Sequence, residues 1–507
     1  MSQVLLSDVS RKKSFLEWYT VVAYLLIGFP PAFAETTASL TPTPVATTVA
    51  SQRSVAIKPL DPPVLTLNDV VVAATERHPL ITAAREERAG ADGERLAAQG
   101  AFDRVIKGDF VDYATGGYSG TYYNMQAEQP LEFMGSKIIS GFRQGSGSFP
   151  VYDDYYETNE DGEIRAGVEI PLLRDRDIDK RRTLIKKTTI QQDVAGLSLD
   201  LRRIDLGRAS ANAYWEWVAA KRKLVVFESL LKVAQERDVQ LVKRADAGDI
   251  AQFDQTDNKR QVFQREAQLL SAQRALQKAE FELAFFYRGL SGEPIPVASL
   301  NPPKNIPLTK PAALQDLDVH VAEAHANRPE VKRLEQLMEQ NKLEITLAEN
   351  DTLPKLDMQS FLARDLGAGK QDRNETELKL GVKLEVPLQV RNQQGRIDQY
   401  SAKVRELEAQ LKAVKDRIAV EVRDASTAIS ISRDRVDVAR SELALAEELE
   451  RGERTKFVQG DSNLIFVNLR EQTTADAAVR EIDTVLEFER AVVSYHAALG
   501  QINYVTR

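Results

Sequence analysis

The sequence predicts a mainly α-helical protein with a β-barrel part. It has two structural repeats per chain, and three chains close a twelve-strand β-barrel continued by a long α-helical barrel. Three observations carry this expectation. Apolar or small residues step by three and four from Ile397 through Tyr400, Val404, Leu407, Leu411, Val414, Ile418, Ala425, Ile429, Val436, Ala439 and Leu443 to Ala446, with only Glu421 and Ser432 off the pattern. A short alternating segment ending in Pro-Leu precedes this run, and a Gly-Asp break follows it. The same succession occurs once before in the chain, which reads as a duplication.

The heptad run comes first because it sets the scale. At about 1.5 Å of rise per residue it makes a helix of about 75 Å, too long to fold around a compact core. It must lie against other long helices, and a spacing near 3.5 residues per turn predicts left-handed supercoiling. Upstream, Gly381 to Leu388 alternates Val and Leu with polar residues and reads as a strand stopped by Pro387. Downstream, Gln459-Gly460-Asp461 breaks the helix before another resumes from about Asn463 to Leu499.

The first half repeats these marks. A helix opens near Leu65, capped by Asn68 or Thr66, and carries Pro79; its counterpart from Val319 carries Pro329 at the same point. Val105–Tyr113 and Lys355–Leu362 alternate as strands, and Ala166–Leu172 echoes the segment ending at Leu388. The spacing between marks is longer in the first half. The excess lies within Gly116 to Glu163, rich in Gly, Tyr, Phe and acid, and suits a long exposed hairpin or loop. A long helix then leads to Ala247-Gly248-Asp249, and a returning helix shows Leu269, Ala272, Leu276, Ala279, Leu283, Phe286 and Leu290 at three-four spacing.

These marks divide the chain into a signal peptide 1–34, a flexible linker 35–64, repeat 1 at 65–292, a Pro-rich linker 293–315 and repeat 2 at 316–507. The signal peptide is read from Arg11-Lys12-Lys13, a short apolar run Val21–Phe29 and Ala32-Phe33-Ala34. No later segment is long and apolar enough for a helical span, so membrane contact requires a β-barrel or surface association. Two strands per half give four per chain, with two raw edges; three copies in a ring pair those edges and reach twelve.

Composition excludes several function classes. A net charge of −8 gives no basic footprint for nucleic acid, and the absence of cysteine removes disulfides, thiol catalysis and Cys-zinc sites. His78, His320, His325 and His496 are scattered, and five residues separate His320 from His325, so they do not share a helix face as metal ligands would. Glu157-x-Asn159-x-Asp161-Gly162 opens like a calcium loop but has Val168 where a bidentate Glu is needed. No phosphate loop, nucleophile elbow or zinc signature occurs, so neither an enzyme nor a cofactor is expected. Trp215 and Trp217 point to different faces of their helix and read as interhelical packing.

Taken in order, the duplicated Pro marks, strand-to-Pro-Leu-to-helix junctions, Gly-Asp tips and signal peptide resemble the TolC-type outer-membrane efflux proteins across roughly Leu65 to Gly500. The resemblance implies a homotrimer in outer-membrane lipid, serving as a passive export duct of a tripartite efflux or type I secretion system. It also implies two protein partners, a periplasmic adaptor (membrane fusion) protein and an inner-membrane pump. By the same resemblance Arg244, Gly248, Asp249, Lys456, Gly460 and Asp461 form tips that meet the adaptor, and Asp254 and Asp257 line a periplasmic gate. The chain departs from the family where Phe466, Leu469 and Ser462 stand in place of acidic or arginine positions after the second tip. The rival reading is a periplasmic adaptor or coiled-coil scaffold without a barrel, which predicts one helical hairpin rather than two.

Overall fold

The computed structural model describes residues 64–246, 252–303, 308–309 and 316–501, apart from the side chains of 153–155, 244–246 and 254. The signal peptide, nearly all of the 35–64 linker, parts of the Pro-rich linker, Gly248 and Asp249 lie outside the described residues. In chain order the elements are α1 (Leu67–Arg77), α2 (Pro79–Gln99), β1 (Val105–Asp112), β2 (Gly120–Pro130), β3 (Lys137–Gly147), β4 (Glu163–Pro171), α3 (Lys180–Asp246) and α4 (Gln252–Phe286). Then follow α5 (Leu317–Asn327), α6 (Pro329–Asn350), β5 (Lys355–Asp365), β6 (Glu377–Glu385), α7 (Arg391–Gln459) and α8 (Leu464–Ala498).

The two prolines explain the first bend in each half. A proline excludes the α region for the residue before it and favours the first helical position, so His78 and Arg328 are extended, with ψ of 139° and 123°. Each helix expected from the sequence is therefore two. Thr66, not Asn68, caps α1: its Oγ1 accepts from Asp69 N at 3.3 Å while its own N–H donates to Asp69 Oδ2 at 3.0 Å.

The strands form one antiparallel six-stranded sheet in the order β1-β2-β3-β4-β5-β6. The second half has its two expected strands, but the first has four, which corrects the expectation of two there and, with it, the count of four per chain behind the twelve-strand barrel. β1, β4 and β5 lie on the expected segments, and β6 overlaps its segment at 381–385 but starts earlier, at Glu377, and stops at Glu385. The excess in the first half is a hairpin, but β2 and β3 are inserted between β1 and β4 in the plane of the sheet.

The long helices α3 and α7 have 67 and 69 residues, about 100 Å each. On α7 the seam from Leu407 through Ile418, Ala425, Ile429 and Val436 to Ala446 is buried. Ser432 is buried too, its hydroxyl donating to Ala428 O at 2.6 Å, which satisfies a polar group inside the seam. One core cluster joins α1, α3, α4 and α8 around Tyr214, Trp215, Trp217 and Leu283; another joins α5 to α8 around Val331, Ile418, Val422 and Phe488. Both tryptophans are core, because α3 is covered on more than one side. The seam of α4 ends at Phe286: a turn from Gly289 to Glu293 stops the helix and leaves Leu290 exposed.

Candidate membrane face, helix stripes and tip

The register of the sheet sorts its residues into two chemically distinct faces. Ile106 pairs with Ala127, Phe110 with Tyr123, Met125 with Phe142, Ile138 with Val168, Ile170 with Met358, Leu362 with Leu378 and Leu384 with Leu356, all on one side. Ile106, Phe110, Met125, Ile164, Leu362, Leu378, Leu380, Val382 and Leu384 on that side are exposed. An apolar face this broad is unstable in water and marks contact with lipid or protein. The opposite face carries a lattice of charge. Lys107 donates to Glu128 at 2.8 Å, Lys137 to Glu169 at 2.9 Å, and Arg165 to Asn124 and Gln126 at 3.0 and 2.9 Å. Arg143 pairs with Glu163 on the same side. Strands of 8 to 11 residues are close to the roughly 9–11 residues that span a lipid hydrocarbon core.

The helices carry a parallel feature. Phe263, Leu270, Phe281 and Phe285 are exposed on α4, and Val420, Ile431, Val438, Leu445 and Leu449 on α7. At 100° per residue each set lies on the side of its helix opposite the buried seam, so each helix has a second apolar stripe. Both stripes begin about three turns from the tip end of their helices.

At the described tip, α7 ends in a left-handed cap. Gly460 has φ 87° and ψ 4°, its N–H donates to Phe457 O, and Asp461 N–H donates to Lys456 O at 2.9 Å. Glycine is required by that φ and by nothing else, since a Cβ there meets open space. Asn463 caps α8, accepting from Phe466 N at 3.2 Å, and Ser462 donates to Glu453. Asp257 sits on α4 and is paired three residues on with Arg260 at 3.0 Å. Asp254 lies on α4 and Arg244 on α3, with their side chains outside the described residues.

Above the tip is a cluster that sequence reasoning missed. Glu471 of α8 is wholly buried. It accepts from Arg265 of α4 at 3.0 Å and pairs with Arg454 of α7 at 3.1 Å and with Arg237 of α3. Arg237 also donates to Asn468 at 2.5 Å, and Arg265 to Leu230 O at 3.1 Å. One carboxylate thus ties together all four long helices. Burial pulls the Arg265 guanidinium below its ordinary value, opposed by Glu471.

Higher on α8, Glu489 accepts from the Thr309 N–H and hydroxyl at 3.1 and 2.7 Å, and burial raises its carboxyl above the ordinary range. The folded protein therefore holds the neutral acid better than the unfolded chain does. That stability is complete below the ordinary carboxylate range and is lost as pH rises through the elevated folded value. Glu489→Gln is expected to raise the melting temperature at pH 8 and to leave it unchanged at pH 4; a gap independent of pH would refute this assignment.

The histidines are not brought together. His78 caps α2 and packs against Phe285 and Phe286, His320 meets the Tyr495 hydroxyl at 2.6 Å, His325 the Lys415 carbonyl at 2.9 Å, and His496 Gln501 at 2.7 Å. Among the described residues no three His, Asp or Glu side chains cluster as metal ligands. Glu157 instead pairs with Lys370 and Arg373, both at 3.1 Å, and Asn159 holds Asn374 at 2.8 Å, stapling the β3–β4 loop to the β5–β6 loop.

A sheet with one apolar and one charged face, joined to paired helices of about 100 Å, is a fold shared with solved outer-membrane channels. The fold matches the outer-membrane factor family. The outer-membrane protein VceC of Vibrio cholerae aligns over 86% of this chain and 96% of its own, with a TM-score of 0.60 at 15% identity. The open-state MtrE outer-membrane channel of Neisseria gonorrhoeae aligns over 86% and 89%, at 0.61 and 14%. The CmeC outer-membrane channel of Campylobacter jejuni aligns over 86% and 85%, at 0.59 and 12%. No family model and no curated protein sequence matches the chain.

Proposed function

We propose that the chain is one subunit of a homotrimeric outer-membrane channel, a passive duct that crosses the periplasm in a tripartite efflux or type I secretion system. The observation that carries this reading is the sheet, apolar on one face and charged on the other, which fits a barrel wall between lipid and water. The stripes on α4 and α7 support self-assembly. They are different surfaces, so pairing α4 of one copy with α7 of the next is a head-to-tail joint, the kind from which rings are built when the rotation closes. The repeats at 65–292 and 316–507 each supply strands and a helical hairpin, residues 1–34 direct export, and the energy for transport comes from an inner-membrane pump.

The decisive experiment expresses the chain with its leader in a Gram-negative host. Outer-membrane fractionation, a heat-dissociable trimer in SDS and single-channel conductance in a planar bilayer are expected. A water-soluble monomer without conductance would overturn the proposal and favour a periplasmic scaffold.

The tips are assigned to the adaptor: Arg244, Gly248 and Asp249 on one hairpin, Lys456, Gly460 and Asp461 on the other, with Asp254 and Asp257 at the gate just above. Gly460→Pro cannot adopt φ 87° and removes the N–H given to Phe457. It is expected to abolish export while leaving the trimer and its bilayer conductance intact, read by an export assay beside the heat-shift gel; unchanged export would sink the tip assignment.

A further inference from the structure

We propose that the β2–β3 hairpin is part of the barrel wall, so that each chain supplies six strands and three chains close an eighteen-strand barrel. The joint between copies pairs β6 of one with β1 of the next, Lys107 opposite Glu385 and Asp109 opposite Lys383. This rests on the trimeric channel reading above and specifies its pore.

Four observations support it. First, the ladder is unbroken: β2 pairs along its whole length with β3, from Gly120 opposite Gly147 to Pro130 opposite Lys137, and each partner continues into β1 or β4. Second, the hairpin follows the two-faced pattern of the sheet at most positions of its middle, with Ile139 on the charged side and Ser140 on the apolar side as the exceptions there. Tyr123, Met125, Ile138 and Phe142 fall on the apolar side and Asn124, Gln126, Glu128 and Arg143 on the charged side. A hairpin standing free in water has no use for that alternation.

Third, the hairpin is fastened at both ends. Its turn, Phe133–Gly135, lies against the start of α3: Arg182 of α3 donates to Asp175 O at 2.8 Å, and a Cβ on Gly135 would collide with that same oxygen. At the far end Gly145 N–H donates to Thr158 Oγ1 at 3.0 Å, and buried Phe149 packs edge-on to Tyr113 and Tyr156.

Fourth, the edges fit each other. Six alternating strands leave β1 and β6 running in opposite directions, so a neighbour's β6 extends the sheet antiparallel at β1. Both edge strands are almost wholly exposed. With Lys107 opposite Glu385 and Asp109 opposite Lys383, both charge pairs are complementary. The same register sets Phe110 opposite Val382 on the apolar side. A slip of two residues sets Lys107 against Lys383, a like-charge pair.

The dimensions follow. Strands about 4.8 Å apart and tilted by about 40° give a barrel about 36 Å across for eighteen strands, against about 24 Å for twelve. A cylinder of twelve helices about 10 Å apart is about 38 Å across. The inserted hairpin therefore matches the barrel to the helical duct beneath it, and the pore admits wider cargo than a twelve-strand ring.

The chain contains no cysteine, so single cysteines report cleanly. Spin labels placed one at a time at 123–127 and 138–142 of the full-length protein in lipid vesicles are expected to alternate, oxygen-accessible then nickel-chelate-accessible. Phe110→Cys combined with Val382→Cys is expected to yield covalent trimers on oxidation, and Phe110→Cys with Leu380→Cys at most a trace. A heat-dissociable trimer whose hairpin labels are all water-accessible would overturn the eighteen-strand wall and leave the trimeric reading standing. Preferential crosslinking at Leu380 would overturn the register. Loss of both trimer and conductance in the parent protein would overturn the reading on which all of this rests.

Discussion

Replacing Glu471 with alanine is expected to destabilise the helical part by about 3–5 kcal/mol, the cost of leaving a buried charge without its partner. Here three guanidinium groups lose their common acceptor, and those of Arg237 and Arg265 are themselves buried or nearly so. The effect differs from ordinary loss of packing. The helix pairs α3/α4 and α7/α8 are joined near the tip through this carboxylate, so its removal frees one hairpin to move against the other. Thermal unfolding by circular dichroism measures the loss, and the rate of hydrogen exchange in α4 and α8 near the tip reports the decoupling. Glu471→Gln keeps the shape and hydrogen-bonding capacity and is expected to fall between parent and alanine. Equal stability of all three proteins would show that the cluster carries no net energy.

Leu380→Arg is expected to cost about 2–4 kcal/mol of membrane-inserted stability, because it sets a guanidinium at mid-strand on the apolar face. Its neighbour provides the control. Lys379 lies on the charged side, and Lys379→Leu is expected to have a far smaller effect on insertion. Refolding into lipid vesicles over a urea series, read by the heat-shift of the folded form, separates the two. Equal losses at 379 and 380 would mean that the faces do not divide lipid from water.

The long helices were legible because a heptad pattern sustained over many turns has no other physical solution; Pro79 and Pro329 were legible as matching marks of the two halves, but the helix break that each imposes through the residue before it was not read. β4 and β6 were legible from their Val, Leu and Ile alternation. The inserted hairpin was not. On the charged face its residues include Asn124, Gln126, Glu128, Gly141 and Arg143, so the strand signal is carried mainly by alternate positions, diluted by Gly and Ser. The tip glycine was readable as a turn, since few residues accept a positive φ, whereas the Glu471 cluster left no trace in sequence. A lone Glu on a helix gives no sign that arginines more than two hundred positions away close over it. Asp257 was visible as an acid on one helical face, but its pairing with Arg260 changes what it presents.

The two unlike stripes on α4 and α7 also bear on inheritance of damage. In the trimer proposed above, a copy impaired on only one stripe still offers a sound surface to one neighbour and a faulty one to the other, so it enters a ring and weakens it from within. With equal amounts of sound and faulty copies, only about one ring in eight is wholly sound. Co-expression of differently tagged copies would register this as dominance, which a self-complementary twofold contact produces far less severely.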